Sequence, residues 1–176
     1  IFTIGHSIHS TETFLGLLKK NEITAICDVR STPYSKFNPQ FNREVLKVSL
    51  INCDIKYAFL GKELGARSDD PKCYANGKVQ YDKLAQTILF NEGISRVIEG
   101  AKTYNVALMC SEKEPLECHR TILVAKDLEK KGYQVKHILD DGSVETQNET
   151  IKRLMHSLNI EPNDLFLDKK DIINQA

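Results

Sequence analysis

The chain has 176 residues, 41% of them apolar and 27% charged, with 24 Lys and Arg balanced by 24 Asp and Glu. That length supports one good core and leaves little room for two, so a single α/β domain over 1–176 is expected. Balanced charge excludes a global field that draws in nucleic acid or an anionic membrane, and leaves only a focused basic pocket as an anion site.

No apolar run approaches the roughly 20 residues a membrane helix needs, and no charged-then-apolar leader opens the chain, so a cytoplasmic protein without a membrane partner is expected. The five cysteines, at 27, 53, 73, 110 and 118, are odd in number and scattered, which reads as reduced thiols rather than a disulfide framework.

In chain order, short β-rich runs at 1–4, 24–29, 55–59, 106–110 and 134–139 alternate with helical patterns. The first helix has Ser10 or Thr11 as its cap, Phe14, Leu17 and Leu18 on one face, and Lys19-Lys20 at its end. Further helices are expected over 42–50, over 81–101 with a break near 91–95, over 115–131 with Pro115 at its first position and Gly132 beyond its end, and over 144–158. Residues 60–80 carry three glycines and no period, the mark of a long loop or lid, and 160–176 reads as a solvated helix or tail. The pattern predicts a three-layer, Rossmann-like, mostly parallel open sheet of about five strands with helices on both faces.

Such sheets bind ligands beyond the carboxyl ends of their strands. There the sequence places Gly5-His6-Ser7, Asp28-Val29-Arg30-Ser31, Gly61, Cys110-Ser111-Glu112 and Asp140-Asp141-Gly142. The stretch 108–120, which ends Cys118-His119-Arg120, joins a strand to a helix whose free amides suit an anion. It admits three chemistries. Cys110 or Cys118 is a thiolate nucleophile; or Cys110, Cys118 and His119 bind zinc, with His6 or Cys27 supplied from neighbouring strands; or Glu112 and His119 do acid–base work while Arg30 and Arg120 hold an anion. Against these stands plain burial of both cysteines on the apolar face of the helix. Arg30 through Phe41 mixes cations, hydroxyls and aromatics, which either cradle a phosphate and stack a base or form an ordinary loop whose Tyr34 and Phe37 fold back onto the core. His137, inside a strand, reads as a satisfied core histidine.

Four ordered motifs, Thr3-Ile4-Gly5-His6-Ser7, Asp28-Val29-Arg30-Ser31 with Pro33, Ser35 and Phe37, Leu60-Gly61 with Leu64-Gly65, and Cys110 with Glu112, Pro115 and Cys118-His119-Arg120, resemble the domain-of-unknown-function family 488. The resemblance runs to about His137-Ile138. It implies a polar site at His6, Ser7, Arg30, Ser35, Glu112, Cys118, His119 and Arg120, and little about activity. Asp28-Val29-Arg30 also resembles a tripeptide of rhodanese-like domains, which keeps Cys-based sulfur transfer as a minor alternative.

The expected function is an enzyme, a hydrolase or transferase, acting on an anionic, phosphate-containing substrate related to a nucleotide or nucleic acid. Glu112, His119 and His6 are the expected catalytic residues, and Ser7, Arg30, Ser35, Arg120 and Cys118 the expected substrate-binding ones. No metal ligand and no cofactor is expected, zinc being the lesser possibility. The competing class is a non-enzymatic module whose partner is a nucleotide or nucleic acid. Oligomeric state is not encoded in any of these signals.

Overall fold

A computed structural model describes residues 1–158 of the protein. The tail expected over 160–176 lies outside the described residues. Six strands form one sheet in the order β3-β2-β6-β1-β7-β8: β1 (Phe2–Gly5), β2 (Ala25–Asp28), β3 (Lys56–Phe59), β6 (Val106–Cys110), β7 (Lys136–Ile138) and β8 (Val144–Thr146). The first five run parallel, and β8 pairs antiparallel with β7. The five strands read from the sequence are the five parallel ones. The remaining two, β4 (Tyr74–Ala75) and β5 (Lys78–Val79), make a separate hairpin within 60–80, beside the short helix α3 (Gly61–Leu64) and a 3₁₀ turn at Pro71–Cys73.

Alternation along the strands divides the core in two. Ile4, Ile26, Ala107, Met109 and Ile138 face α1 (Thr11–Lys20) and α2 (Arg43–Ile51), through Phe14, Leu17, Leu18, Leu46 and Leu50. Cys27, Val29, Val106, Leu108 and Cys110 face the opposite layer, where α5 (Ile88–Ala101) contributes Phe90, Ile94 and Val97 and the segment after Cys118 contributes Leu123, Val124 and Leu128. β6 is buried at all five residues, as a strand covered on both faces must be. This is the expected three-layer architecture, with one strand more than expected.

Three expectations change. The helix over 81–101 breaks at Ala85–Thr87 rather than near 91–95: α4 (Tyr81–Leu84) ends there, and Thr87 caps α5 by accepting from the Phe90 amide. Residues 144–146 pair as β8, and α7 (Gln147–Ser157) starts only behind them, where Thr146 and Glu149 close a capping box. The helix expected over 115–131 is three pieces: a 3₁₀ turn at Pro115–Glu117, a π-helix at Arg120–Ala125 and α6 (Lys126–Lys130), with Gly132 left-handed at φ 86° as expected. Cys118 is extended (φ −128°, ψ 135°), so the chain turns at the residue that the single-helix reading places on a continuous face. No helix among the described residues is long and apolar enough to cross a membrane.

Candidate functional site

Parallel pairing brings the carboxyl ends of β1, β6 and β2 side by side, and the polar residues that follow them meet. The His6 amide donates to the Cys110 carbonyl (2.9 Å) and the Ser7 amide to the Ser111 carbonyl (3.0 Å), so β1 and β6 stay paired past their ends. The approach is close. A Cβ at Gly5 would stand 1.9 Å from the Glu112 carbonyl oxygen, which makes glycine the residue that admits this loop. Ser7 then turns left-handed (φ 48°) and lays its hydroxyl and carbonyl at the rim.

Arg30 lies at the centre of the first half of the site. Its guanidinium grips Asp28 through Nε (2.9 Å) and Nη2 (2.7 Å), and donates to the Phe41 carbonyl (2.9 Å). Asp28 also accepts from Tyr57 (2.8 Å). Because guanidinium only donates, its Nη1 at 3.2 Å fixes His6 Nε2 as an acceptor, and His6 Nδ1–H is directed to the Ser7 carbonyl (2.8 Å). Burial is the main cause that brings the His6 pKa down to about 4, against the opposing Ser7 hydrogen bond, and the ring stacks on Phe41 at 4.3 Å. The neutral imidazole thus positions Arg30. In front of the pair opens a cleft of about 370 Å³, lined by His6, Ser7, Ile8, Arg30, Thr32, Tyr34, Ser35, Asn38 and Ser111. Tyr34 is 67% exposed and Phe37 92%, so neither folds back onto the core.

The second half is a cluster behind Ser111. The turn at Cys118 carries its thiol back toward Cys110, and both point at one carboxylate oxygen: Glu112 Oε2 lies 2.8 Å from Cys110 Sγ and 3.2 Å from Cys118 Sγ. His119 donates from Nε2 to the Val29 carbonyl (3.1 Å), which can only accept, and so turns Nδ1 to the two sulfurs, 3.8 Å from each. Both cysteines and His119 are buried, while Glu112 is an exposed residue that reaches down over them. Its other oxygen accepts from Ser111 (3.0 Å), a lining residue of the cleft.

These groups titrate together. A hydrogen bond from Cys118 is the largest cause that lowers the Cys110 pKa; it outweighs burial and is assisted by His119. Burial, with the proton held toward Cys110, pushes Cys118 up. For Glu112, burial alone would raise the pKa, but the donors around it, Cys110 and Cys118 first, bring it to about 2. Burial likewise works against the His119 charge, yet the Cys110 hydrogen bond and charge and the Val29 carbonyl raise its pKa overall.

Of the residues singled out in the sequence, His6, Ser7, Arg30 and Ser35 line the cleft together, and Glu112, Cys118 and His119 form the cluster behind it. Arg120 joins neither. Fully buried, it braces the loop by donating to the carbonyls of Glu112 (2.7 Å) and Lys113 (3.2 Å), and its Nε finds no partner among the described residues. The helix start expected to receive an anion at Pro115 is filled internally, because the Glu114 carboxylate accepts from the Leu116 amide (3.1 Å). Cys27 stays in the core, its thiol pushed up to about 12 by burial, and is not in the cluster. Asp28 and Ser111 stand at strand ends that the sequence marks, and Asn38 in the loop after Arg30, but none of them was singled out as a site residue. Asp28 had a readable signal, a carboxylate at the end of a buried strand two residues before an arginine; Tyr57, inside β3, had none.

The family model described as "Domain of unknown function DUF488" matches residues 10–126. The match takes in Arg30, Ser35, Glu112, Cys118, His119 and Arg120, while His6 and Ser7 lie just before it. No curated protein and no solved structure matches the chain. With two thirds of its length under that model, and with the arginine cleft and the thiol cluster both drawing on the matched span, the chain belongs to the domain-of-unknown-function family 488.

Proposed function

We propose that the protein is an enzyme that acts on a small anionic, phosphate-bearing substrate of the nucleotide kind, bound in the Arg30 cleft and transformed where that cleft meets the Cys110–Glu112–Cys118–His119 cluster. The observation that carries this reading is the contact through Ser111: one side chain lines the cleft and bonds the carboxylate that both thiols face. Arg30, through the one Nη1 N–H that Asp28, Phe41 and His6 leave to it, and the hydroxyls of Ser7, Thr32, Ser35 and Ser111 supply donors suited to phosphate oxygens. The exposed ring of Tyr34 at the mouth offers a face for a base.

Within this reading Glu112 and His119 act as a pair inside the cluster rather than each on the substrate, because neither His119 nitrogen is turned to the cleft. His6 and Arg120 position their neighbours.

The test is a thermal-shift screen against nucleotides, sugar phosphates and short single strands, with wild type, Tyr34→Ala and Ser111→Ala. A ligand at a hundredfold its Kd adds about 2.7 kcal/mol to wild type, and both variants, which leave the core untouched, lose most of that shift. A wild type that no anionic compound stabilises, or a shift that both variants retain, overturns the proposal. Burial of the thiols and His119 favours a second reading, a binding module without turnover. Glu112→Gln separates the two: an enzyme keeps its ligand shift and loses turnover, whereas a module shows no turnover in wild type.

A further inference from the structure

We propose that Cys110, Cys118 and His119 bind one divalent metal ion of the zinc class, with Glu112 as the fourth, exchangeable ligand. The inference rests on the reading of this cluster as the reacting end of the site, but the donor set itself is independent of any substrate. The donor atoms of Cys110, Cys118 and His119 lie within 4.8 Å of one another. In a tetrahedral zinc site, with Zn–S about 2.3 Å and Zn–N about 2.0–2.1 Å, sulfur and nitrogen stand about 3.5 Å apart. Here His119 Nδ1 is 3.8 Å from each sulfur, within a small side-chain adjustment of that edge. Glu112 Oε2 lies 2.8 and 3.2 Å from the same two sulfurs, inside the about 3.5 Å of that edge and outside the set of three donors that lie together, so its side chain swings outward to take the fourth corner.

The outer shell is that of a metal site. A ligating histidine is held by the hydrogen bond of its other nitrogen, and His119 gives that bond to the Val29 carbonyl. Cys118 Sγ also receives the Arg120 amide (3.5 Å), as a thiolate would. Two thiolates, one carboxylate and a divalent cation carry a net charge of minus one, and the buried Arg120 guanidinium, whose partners are carbonyls, stands behind them to offset it. On binding, the Cys118 proton and the one that Cys110 and His119 share go to solvent while both sulfurs and Nδ1 turn to the metal, so two protons leave and nothing is oxidised or reduced.

The ligand set also differs from that of a zinc knuckle. Three donors are buried and the fourth sits on an exposed residue whose second oxygen is bound to the lining hydroxyl of Ser111. A metal there has protein on three sides and a carboxylate toward the cleft. That arrangement allows a water or a substrate oxygen to replace Glu112 and be polarised, as three-ligand catalytic zinc sites do.

The experiment is a titration of chelator-treated full-length protein with Co²⁺, followed by displacement with Zn²⁺, with no nucleotide present. Expected are one bound cobalt per chain, thiolate-to-cobalt charge-transfer absorption with tetrahedral visible bands, two protons released, and loss of the colour on adding zinc. Cys118→Ser and His119→Ala should weaken binding by at least the roughly 10–100-fold that losing an outer-shell partner costs. Glu112→Gln, at an exposed residue, should keep the thiolate band with altered visible bands, and Cys53→Ser, remote from the cluster, should bind as wild type. A wild type that stays colourless at stoichiometric cobalt overturns the site, as does a cobalt affinity and spectrum that neither Cys118→Ser nor His119→Ala changes. Because ligand shifts in the Tyr34 and Ser111 variants are read without metal, failure of the metal site and failure of the anion cleft are separate results.

Discussion

At the scale of single residues, the protein keeps two neutral histidines inside polar cradles. His137 sits fully buried between the Thr3 hydroxyl (2.8 Å) and the Gln147 side-chain oxygen (2.6 Å); that oxygen can only accept, which fixes the proton on Nε2. Burial is the main cause that lowers its pKa from 6.5 to about 4. The unfolded chain therefore takes up this proton near 6.5 and the folded chain only near 4, so the stability it contributes is complete above that upper value and declines as pH falls between the two. His119, with its raised pKa, works in the opposite direction, which is why the comparison must isolate one residue. Urea unfolding of wild type and His137→Gln at about pH 7 and about pH 5 should show wild type losing roughly 2 kcal/mol more than the variant over that interval. Equal losses would mean that the folded protein protonates His137 as freely as water does. The sequence showed this residue as a core histidine through its place in a strand, but its partner Gln147 lies beyond a reversal of the chain that no periodicity announces.

At the scale of elements, the site depends on how closely the loop after β6 lies against the end of β1. Gly5→Ala places a methyl where the Glu112 carbonyl now is, and the loop must lift. The expected outcome is destabilisation of about 1–3 kcal/mol in urea unfolding, as for other overpacked core positions, together with loss of the cobalt band, because Glu112 and Cys110 move apart. Normal stability with an intact band would show that the loop is slack. The same loop marks the limit of what was legible. Strands ending in His6-Ser7, Asp28-Arg30 and Cys110-Ser111-Glu112 were readable as short, mostly apolar runs that stop at polar residues, and the rim they form follows from parallel pairing alone. The meeting of Cys118 with Cys110 was not. Pro115 and Gly132 are valid start and stop signals, and they suggest one helix; the extended Cys118 between a 3₁₀ turn and a π-helix leaves no trace in residue spacing. The start of α7 was recoverable, since Thr146 and Glu149 have capping-box spacing, and β8 is what remains before it.

At the scale of the whole molecule, the sheet order sets which contacts hold the protein together. β1 and β2 do not pair with each other; β6 lies between them and pairs with both. The meeting of His6 with Arg30, and of both with the Cys110 cluster, therefore waits on a strand that begins only at Val106. The consequence is one of timing. On a chain made from its amino end, β1 stays without a sheet neighbour until Val106–Cys110 has emerged, and of the six strands of the main sheet only β2 and β3 can pair before then. Such long closures are slow and leave apolar strand faces open meanwhile. A fragment of residues 1–105 should give little cooperative unfolding and should bind a hydrophobic dye, whereas 1–158 should unfold in one cooperative transition; a fragment that already melts cooperatively would place the organising contacts elsewhere. Synthesis of this protein thus includes an interval in which about three fifths of the chain waits for its central strand, and it is in that interval, rather than in the finished fold, that a chaperone would find it.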